Sequence, residues 1–529
     1  MRVYPMLQKL EALVKQARKA GEKITAFNGE FRVISHYDAD GIASASIMAR
    51  ALMRAGKRFH LTMVNQLSET LIAELAGQKR DFVIFLDMGS GQLRMIRQHL
   101  SKADVIVIDH HQQEGSMEGS KIMQVNPMDF GIEENISGSG ACYIVSMSLG
   151  PENKDLSAMA IIGAIGDSQA GAIGEEWGLF GLNREILKDA MDINKIKVSR
   201  GLRLWGRYTR PIHKALEFSV DPYIPNVSGS ESHAVQFLHE LGIPTKRENG
   251  EWRTLADLSE DEQKKLASGI IAERVNGNHP NAEWIFGDVY ELLDKGGECR
   301  DANEFATILN ACGKMGRAYM GVELCLNVAK AFLEVKWVLE KYRKSVGDGI
   351  RWVYEQMEKG NDEVIRKSGN AWYVLAGGRV SEHILSNVIS IIEKSLDIGK
   401  PVFAFADSES GVKVSARANG KLVEGGLNLK KVVSKAAEKA GGLGGGHSGA
   451  SGATIPAGSE GVFIEAAENM LSHGEETNKS LSSEKNINHD SNPINSEKGN
   501  ENDSRIGKGS KKVDGKEVER KGLVQYFGS

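Results

Sequence analysis

Two segments, "DFVIFLD" (81–87) and "ADVIVID" (103–109), limit the fold more than any other feature of the chain. Each is a near-continuous apolar run of strand length that ends in an aspartate. The helical stretch "SGQLRMIRQHLSK" lies between them. Strands buried on both faces read as unbroken apolar runs, and strand–helix–strand succession joins parallel neighbours. The pattern therefore predicts an α/β fold on a parallel sheet covered on both sides. Upstream, "FRVIS" reads as a further strand and "GIASASIMARALMRAG" as a helix opening on Gly41; "SAMAIIGAIGD" is a helix downstream. The first helix, "YPMLQKLEALVKQARKA", is expected to stop at Gly21.

At 529 residues the chain is too long for one core, and about three domains are expected. Residues 1–190 hold the parallel sheet. Residues 191–369 read as a mostly helical insertion, with "ELCLNVAKAFLEVKWVLEKYRKSV" as one helical segment and Ser259 as an N-cap. Residues 370–471 form a second, smaller α/β unit, with strands "WYVLAG", "PVFAFAD" and "GVKVSAR" and helices "SEHILSNVISIIEKSL" and "LKKVVSKAAEKA". A glycine-rich loop, "GGLGGGHSG", precedes its last strand and helix. Over 472–517 apolar residues nearly vanish, which predicts a disordered linker. They return in 518–529, "VERKGLVQYFGS".

Composition narrows the function. A net charge of −4 gives no global attraction to nucleic acid, so any such binding needs a local basic surface or a metal site. Cys142, Cys299, Cys312 and Cys325 form no CxxC pair, which argues against a thiolate zinc site and a disulfide framework. No apolar run approaches the ~18 residues of a membrane span, and Met1–Leu10 lacks a signal-peptide core, so a cytoplasmic protein without a membrane partner is expected.

The strand-end aspartates have company. His36, Asp38 and Asp40 follow the first strand, Asp87 ends the second run, Asp109, His110 and His111 end the third, and Asp167 closes a helix. Ligand sites of open parallel sheets form outside the carboxyl ends of the strands. Five carboxylates and three imidazoles delivered there repel one another unless a cation neutralises them. Hard oxygen donors with a few imidazoles suit Mn²⁺ first and Mg²⁺ second, and a shared carboxylate could bridge two such ions.

The order "DADG", strand-end Asp, "DHH" and "GD" resembles the DHH phosphoesterase superfamily. "GGGHSGASGATI" is similar to the signature of its DHH-associated domain in the RecJ-like arrangement. "EFATILNACGKMGR" (304–317) is similar to a segment of archaeal RecJ-like proteins, the GINS-associated nucleases. The resemblance implies that Asp38, Asp40, Asp87, His110 and Asp167 hold two metal ions, with Asp87 as the bridging carboxylate. It implies that Asp109 orients a histidine, with direct coordination as the alternative, and that His111 ligates or contacts the scissile phosphate. His36 departs from the bacterial RecJ pattern, which has Asp there, but remains a candidate ligand.

The glycine run permits close approach of backbone N–H groups to an anion, or simply a tight strand–helix connection. Following a metal domain and containing Gly445, Gly446, His447 and Ser448, it is read as a phosphate cradle. Arg417 resembles the family's substrate-backbone arginine; Arg379 is a second candidate, with a surface ion pair as the alternative. Leu523, Tyr526 and Phe527 share one face of a helical turn and resemble the box by which replication proteins dock on the PCNA sliding clamp, departing at Arg520, where Gln is usual. The resulting expectation is an exonuclease of single-stranded DNA or RNA, using two-metal activation of water, in replication or repair. GINS and PCNA are its expected partners. The competing readings are an oligoribonuclease or cyclic-dinucleotide phosphodiesterase, and a mainly structural accessory factor of the replicative helicase.

Overall fold

The computed structural model describes residues 3–78, 80–116, 120–132, 136–173, 176–219, 222–277, 282–396 and 398–485. Two compact units divide between Lys344 and Ser345. In chain order the first unit contains α1 (Val3–Ala26), β1 (Glu30–His36), α2 (Ala39–Arg54), β2 (Arg58–Val64), α3 (Glu69–Gly77), β3 (Phe82–Leu86), α4 (Leu93–His99), β4 (Asp104–Ile108), β5 (Ile122–Val125), α5 (Gly138–Met147) and α6 (Ser157–Gly166). There follow β6 (Gly171–Ile173), β7 (Glu176–Gly178), α7 (Gly181–Asp192), β8 (Ile196–Leu202), α8 (Ile212–Glu217), α9 (Glu231–Glu240) and α10 (Glu260–Asn276). The unit continues through β9 (Phe286–Leu292), α11 (Ala302–Lys314), α12 (Ala318–Cys325) and into α13 (Ala329–Glu358).

The first five strands are all parallel, in the order β2-β1-β3-β4-β5. Strand order reverses between β1 and β3, which opens a crevice beyond their carboxyl ends. The apolar runs fill the interior: Ile34, Val83, Phe85, Val105 and Val107 pack against Ile72, Leu75, Leu93 and Ile96 on α3 and α4. Helices α1, α2 and α5 cover the other face. Each such fully buried side chain contributes about 1.5–3 kcal/mol through removal of apolar surface from water.

Several boundaries differ from expectation. Helix α1 continues through Gly21 to Ala26, because Gly21 lies against α5: a Cβ there would stand 2.1 Å from Ser148 Oγ. This close packing outweighs the ~1 kcal/mol helical disadvantage of glycine. Helix α2 opens at Ala39 rather than Gly41, with the Asp38 carboxylate capping it by accepting the Gly41 N–H at 3.0 Å. The region read as mostly helical is helical but also carries the antiparallel ribbon β8–β9. Its pairing is between segments far apart in the chain, which local pattern does not register. The segment 323–346, read as one helix, is broken after α12, where Asn327 (φ 62°) takes the left-handed conformation and Val328 N–H returns to Glu323 O. Ser259 does cap α10, reciprocally with Glu262.

The second unit contains β10 (Ile365–Lys367), β11 (Trp372–Gly377), α14 (Glu382–Leu396), β12 (Val402–Ser408), β13 (Gly411–Arg417), α15 (Gly420–Glu424), α16 (Leu429–Lys439), β14 (Leu443–Gly446), β15 (Ala450–Ile455) and α17 (Glu460–Lys485). Its sheet runs β10-β11-β12-β13-β15-β14, with only β11 and β12 parallel. Tyr373, Phe403, Phe405, Val433 and Phe463 lie in its core. The glycine run is not a loop. Leu443–Gly446 is the edge strand β14, and glycine is needed there because α16 lies close: a Cβ on Gly444 would be 2.9 Å from Val433 O. All four cysteines are free and buried. Among the described residues no helix is long and apolar enough to cross a membrane. The clamp-like residues Leu523, Tyr526 and Phe527, and Arg520, lie outside the described residues.

Candidate metal centre

Four segments meet at the crevice. The β1 strand ends in His36; Asp38 caps α2 and Asp40 sits in its first turn. Asp87 follows β3 and holds an unusual left-handed backbone (φ 55°), a conformation that costs energy for a non-glycine residue and concentrates at functional sites. Asp109, His110 and His111 follow β4, and Asp167 caps the end of α6.

The side chains converge. His36 Nδ1 lies 3.1 Å from Asp38 Oδ1 and 3.7 Å from Asp87 Oδ2. His110 Nε2 lies 3.3 Å from Asp87 Oδ1, 3.7 Å from Asp167 Oδ2 and 3.8 Å from Asp40 Oδ2. Three groups have donor atoms close enough to share an ion: His36, Asp38 and Asp87; Asp40, His110 and Asp167; and Asp87, Asp109, His110 and His111. Asp87 belongs to two of them. Although His110 Nε2 and Asp87 Oδ1 are neighbours, both are buried and neither makes a hydrogen bond of acceptable geometry. Two buried ligand-type atoms that face each other without a well-formed hydrogen bond fit a cation between the side chains, since an unpaired buried polar atom is otherwise costly. The donor set of carboxylates and imidazoles fits divalent ions of the Mn²⁺ or Mg²⁺ type.

Electrostatics agree. Burial, then the charges of Asp87 and Asp167, push Asp40 well above the ordinary carboxylate range. Burial also raises Asp167; His110 opposes the shift, and Asp87 and Asp38 reinforce it. Burial would lower His36 and His110, but neighbouring carboxylates, Asp38 for the first and Asp87 for the second, hold both well above the usual imidazole value. A cluster that captures protons to relieve its own repulsion is one that a cation would discharge.

The surrounding residues fix these groups. Asp109 is fully buried; its Oδ1 accepts from the backbone N–H groups of His110 (2.8 Å) and His111 (3.3 Å) and lies 2.7 Å from His111 Nδ1, while Oδ2 accepts from Ser90 N–H at 2.9 Å. The imidazole it holds is thus that of His111. Partial desolvation of the half-exposed His111 ring opposes, but Asp109 raises its pKa to about 9. Several neighbours escaped the sequence reading. Gly138 and Ser139, opening α5, donate their N–H groups to Asp40 at 2.7 and 3.0 Å. Asn126 donates to His111 O at 2.8 Å, and Asn310 on α11 accepts the Ala39 N–H at 3.0 Å. The run "SGSG" before the apolar "ACYIVSM" was the one local signal available, a helix N-terminus able to receive a carboxylate.

In the second unit, Arg417 and the glycine segment lie at one end of the sheet. Arg417 pairs with Ala450, whose strand continues into the turn that contains His447 and Ser448; Ala418 N–H donates to Gly449 O at 3.0 Å. Gly445 and Gly446 are in β14 and pair with Gly452 and Ser451. Arg417 donates to Ser390 Oγ at 2.7 Å and to Ala416 O at 2.8 Å. Arg379 does not join them. It follows β11 at the opposite end, since Arg417 stands opposite Val402 while Gly377 stands beside Ala406, about 13 Å further along β12. Parallel pairing of β11 with β12 separates two arginines that sequence alone could not order.

A doubly wound parallel sheet with clustered carboxylates and imidazoles at its switch point defines a candidate divalent-metal site, and the family matches that follow make it that of a phosphoester hydrolase. Comparison with known proteins agrees. The model of the DHH family N-terminal domain matches residues 30–166, that of the DHH-CID domain 204–284 and that of the DHHA1 domain 369–473. An uncharacterized protein of Methanocaldococcus jannaschii is 33% identical over 474 residues, 88% of this chain and 99% of that one. The single-stranded-DNA-specific exonuclease RecJ of Thermus thermophilus is 25% identical over 247 residues, 44% of this chain and 35% of RecJ. Among solved structures, RecJ of Thermus thermophilus in complex with Mn²⁺ superimposes with a TM-score of 0.53 at 16% identity, over 87% of this chain and 55% of that one. CDC45 from Entamoeba histolytica gives 0.58 at 12% identity, over 88% and 99%. The chain belongs to the DHH superfamily and is RecJ-like. It spans about half of the Thermus RecJ structure, so these likenesses concern fold.

Proposed function

We propose that this chain is a divalent-metal-dependent exonuclease of single-stranded DNA or RNA, acting in DNA replication or repair. The observation that carries the proposal is the convergence of donor atoms in three candidate ligand groups, linked by Asp87 and His110, each of which belongs to two of them, with Asp87 Oδ1 and His110 Nε2 3.3 Å apart. In this reading His36, Asp38, Asp40, Asp87, His110 and Asp167 would hold two divalent ions, with Asp87 the carboxylate common to two of the candidate groups. When bound, such ions lower the pKa of water and stabilise charge at phosphorus. Mn²⁺ is the first choice of metal.

The protein groups around the ions supply orientation. Asp40 is held by two backbone N–H groups, which fixes its carboxylate before substrate arrives. His111, held through Nδ1 by Asp109 with its ring half exposed, is the group proposed to donate from its other ring nitrogen to a phosphate oxygen. Arg417, Gly445, Gly446, His447 and Ser448 are proposed to hold the strand backbone. Association with the GINS complex and with PCNA belongs to the same proposal; the family resemblance supports the first and Leu523, Tyr526 and Phe527 the second.

The likeness to CDC45 favours a second reading, a helicase accessory factor without catalysis. Against it stands the filled set of ligand positions. End-labelled single-stranded DNA and RNA, incubated with the protein in Mn²⁺, Mg²⁺ or EDTA, separate the two. Shortening of either strand with metal and none in EDTA is expected; intact strands under all three conditions would leave the accessory reading.

A further inference from the structure

Helix α6 ends in a turn of unusual composition. Asp167 caps the helix and Ser168 takes a left-handed backbone (φ 59°). The chain closes with Ser168 N–H on Ile165 O at 3.0 Å and Gln169 N–H on Ala164 O at 2.9 Å. In this Schellman arrangement glycine usually holds the left-handed position, and an apolar contact usually follows it. Here a serine bears the strain, and the residue that follows is Gln169.

The Gln169 side chain meets three polar partners. Its Nε2 donates to Asp167 Oδ2 at 2.8 Å and to Ile136 O at 3.0 Å, and its Oε1 accepts from Asn183 Nδ2, on α7, at 2.6 Å. A carboxylate and a carbonyl only accept, so the partners fix which way the amide points. Asn183 is fully buried, and among the described residues its own Oδ1 has no partner. Leaving a buried polar atom unpaired costs about 1–3 kcal/mol, so this trio is not arranged for stability alone.

Both hydrogen bonds that Gln169 donates lead to the metal centre. Asp167 Oδ2 is the atom that lies 3.7 Å from His110 Nε2. Ile136 immediately precedes Ser137, which caps α5, and the next two residues, Gly138 and Ser139, hold the Asp40 carboxylate through their N–H groups. Gln169 thus joins the segment that carries Asp167 to the segment that fixes Asp40. Those two carboxylates and His110 make up one candidate ligand group, to which neither His36 nor Asp38 belongs. We propose that Gln169 is a positioning residue that holds Asp167 in register with Asp40, so that this group keeps the spacing a divalent ion needs. The proposal rests on the nuclease reading above and adds selectivity to it: loss of Gln169 disturbs the ion held by Asp40, His110 and Asp167 and spares the one held by His36 and Asp38.

The test is a Mn²⁺ titration of the full chain without nucleic acid, followed by the electron paramagnetic resonance signal of the free ion. Wild type, Gln169→Leu, Gln169→Ala and Asn183→Ala are compared, with a thermal melt of each in EDTA. Wild type should take up two ions. Gln169→Leu keeps the bulk but neither donor, and Gln169→Ala removes the side chain without crowding its neighbours. Both should bind one ion about 10–100-fold more weakly, the usual loss when a group that orients a ligand is removed, and the other ion as wild type does. Asn183→Ala leaves both donors in place but frees the amide, and should weaken the same ion by less. Gln169 is only half-buried, so its variants should melt close to wild type in EDTA. A purely structural role would instead lower that melt and leave Mn²⁺ uptake by the folded protein unchanged. Wild-type isotherms in both Gln169 variants, or equal weakening of both ions, overturn the positioning role alone, provided wild type still cuts strands in Mn²⁺. A wild-type protein that takes up no Mn²⁺ and leaves strands intact overturns the nuclease reading as well.

Discussion

Replacing Gly138 with alanine tests the metal centre at its tightest point. A Cβ at this position would stand 2.5 Å from Asp87 Oδ1 and 2.8 Å from Asp87 Cβ. The Gly138 N–H, which donates to Asp40 at 2.7 Å, survives the change, and its backbone does not require positive φ. The added methyl group therefore acts on Asp87 and on little else. To reach ordinary van der Waals contact the carboxylate must retreat by about 0.9 Å, and misplacements near 1 Å cost up to about 10²-fold in rate. We expect Gly138→Ala to lose about 10²-fold in kcat/KM on a labelled single strand, and to need several-fold more Mn²⁺ for half-maximal rate. Overpacking should also cost about 1–3 kcal/mol of stability, read from the melt in EDTA. A folded Gly138→Ala protein with wild-type activity and metal requirement would refute the placement of Asp87 against α5 and its role as a shared ligand.

Three further outcomes are expected. Asp87→Ala should abolish metal-dependent hydrolysis with circular dichroism unchanged, and EDTA should do the same to the wild type; residual activity at the wild-type level in the variant would remove Asp87 from the site. Glu304 has a folded pKa of about 7, above the ordinary 4.5, so its contribution to stability is present below about 4.5 and lost as pH rises towards 7 and beyond. Glu304→Gln should therefore gain up to about 3 kcal/mol over wild type between pH 4.5 and 8, seen as melting curves that diverge with rising pH; parallel curves would contradict the burial of an ionisable carboxyl there. Arg417→Ala should weaken single-strand binding and reduce its salt slope by about 0.7, and an unchanged slope would take Arg417 off the list of phosphate contacts.

How far the sequence carries depends on the range of the interaction. Unbroken apolar runs such as "VIFL" and "VIVI" can only be strands covered on both faces, and a helix between them makes them parallel. The class of sheet, and the ends at which Asp87 and Asp109 must emerge, follow from those local patterns. The helix cap at Ser259 and the alternation of the second unit were legible for the same reason, since each signal lies within a few residues.

What tertiary structure alone decided are the close approaches. Gly21 and the glycines of β14 read locally as a stop and as a flexible loop. They are instead places where one backbone touches another element, and the partner that makes glycine necessary lies far along the chain. Asp109 pairs with His111 rather than His110 because of ring geometry, and Asp40 is held by an α5 N-terminus that follows it by almost a hundred residues. Strand pairing in the second sheet sends Arg379 and Arg417 to opposite ends. Composition and periodicity record which surfaces must leave water; they carry no record of which distant backbone or charge each will meet.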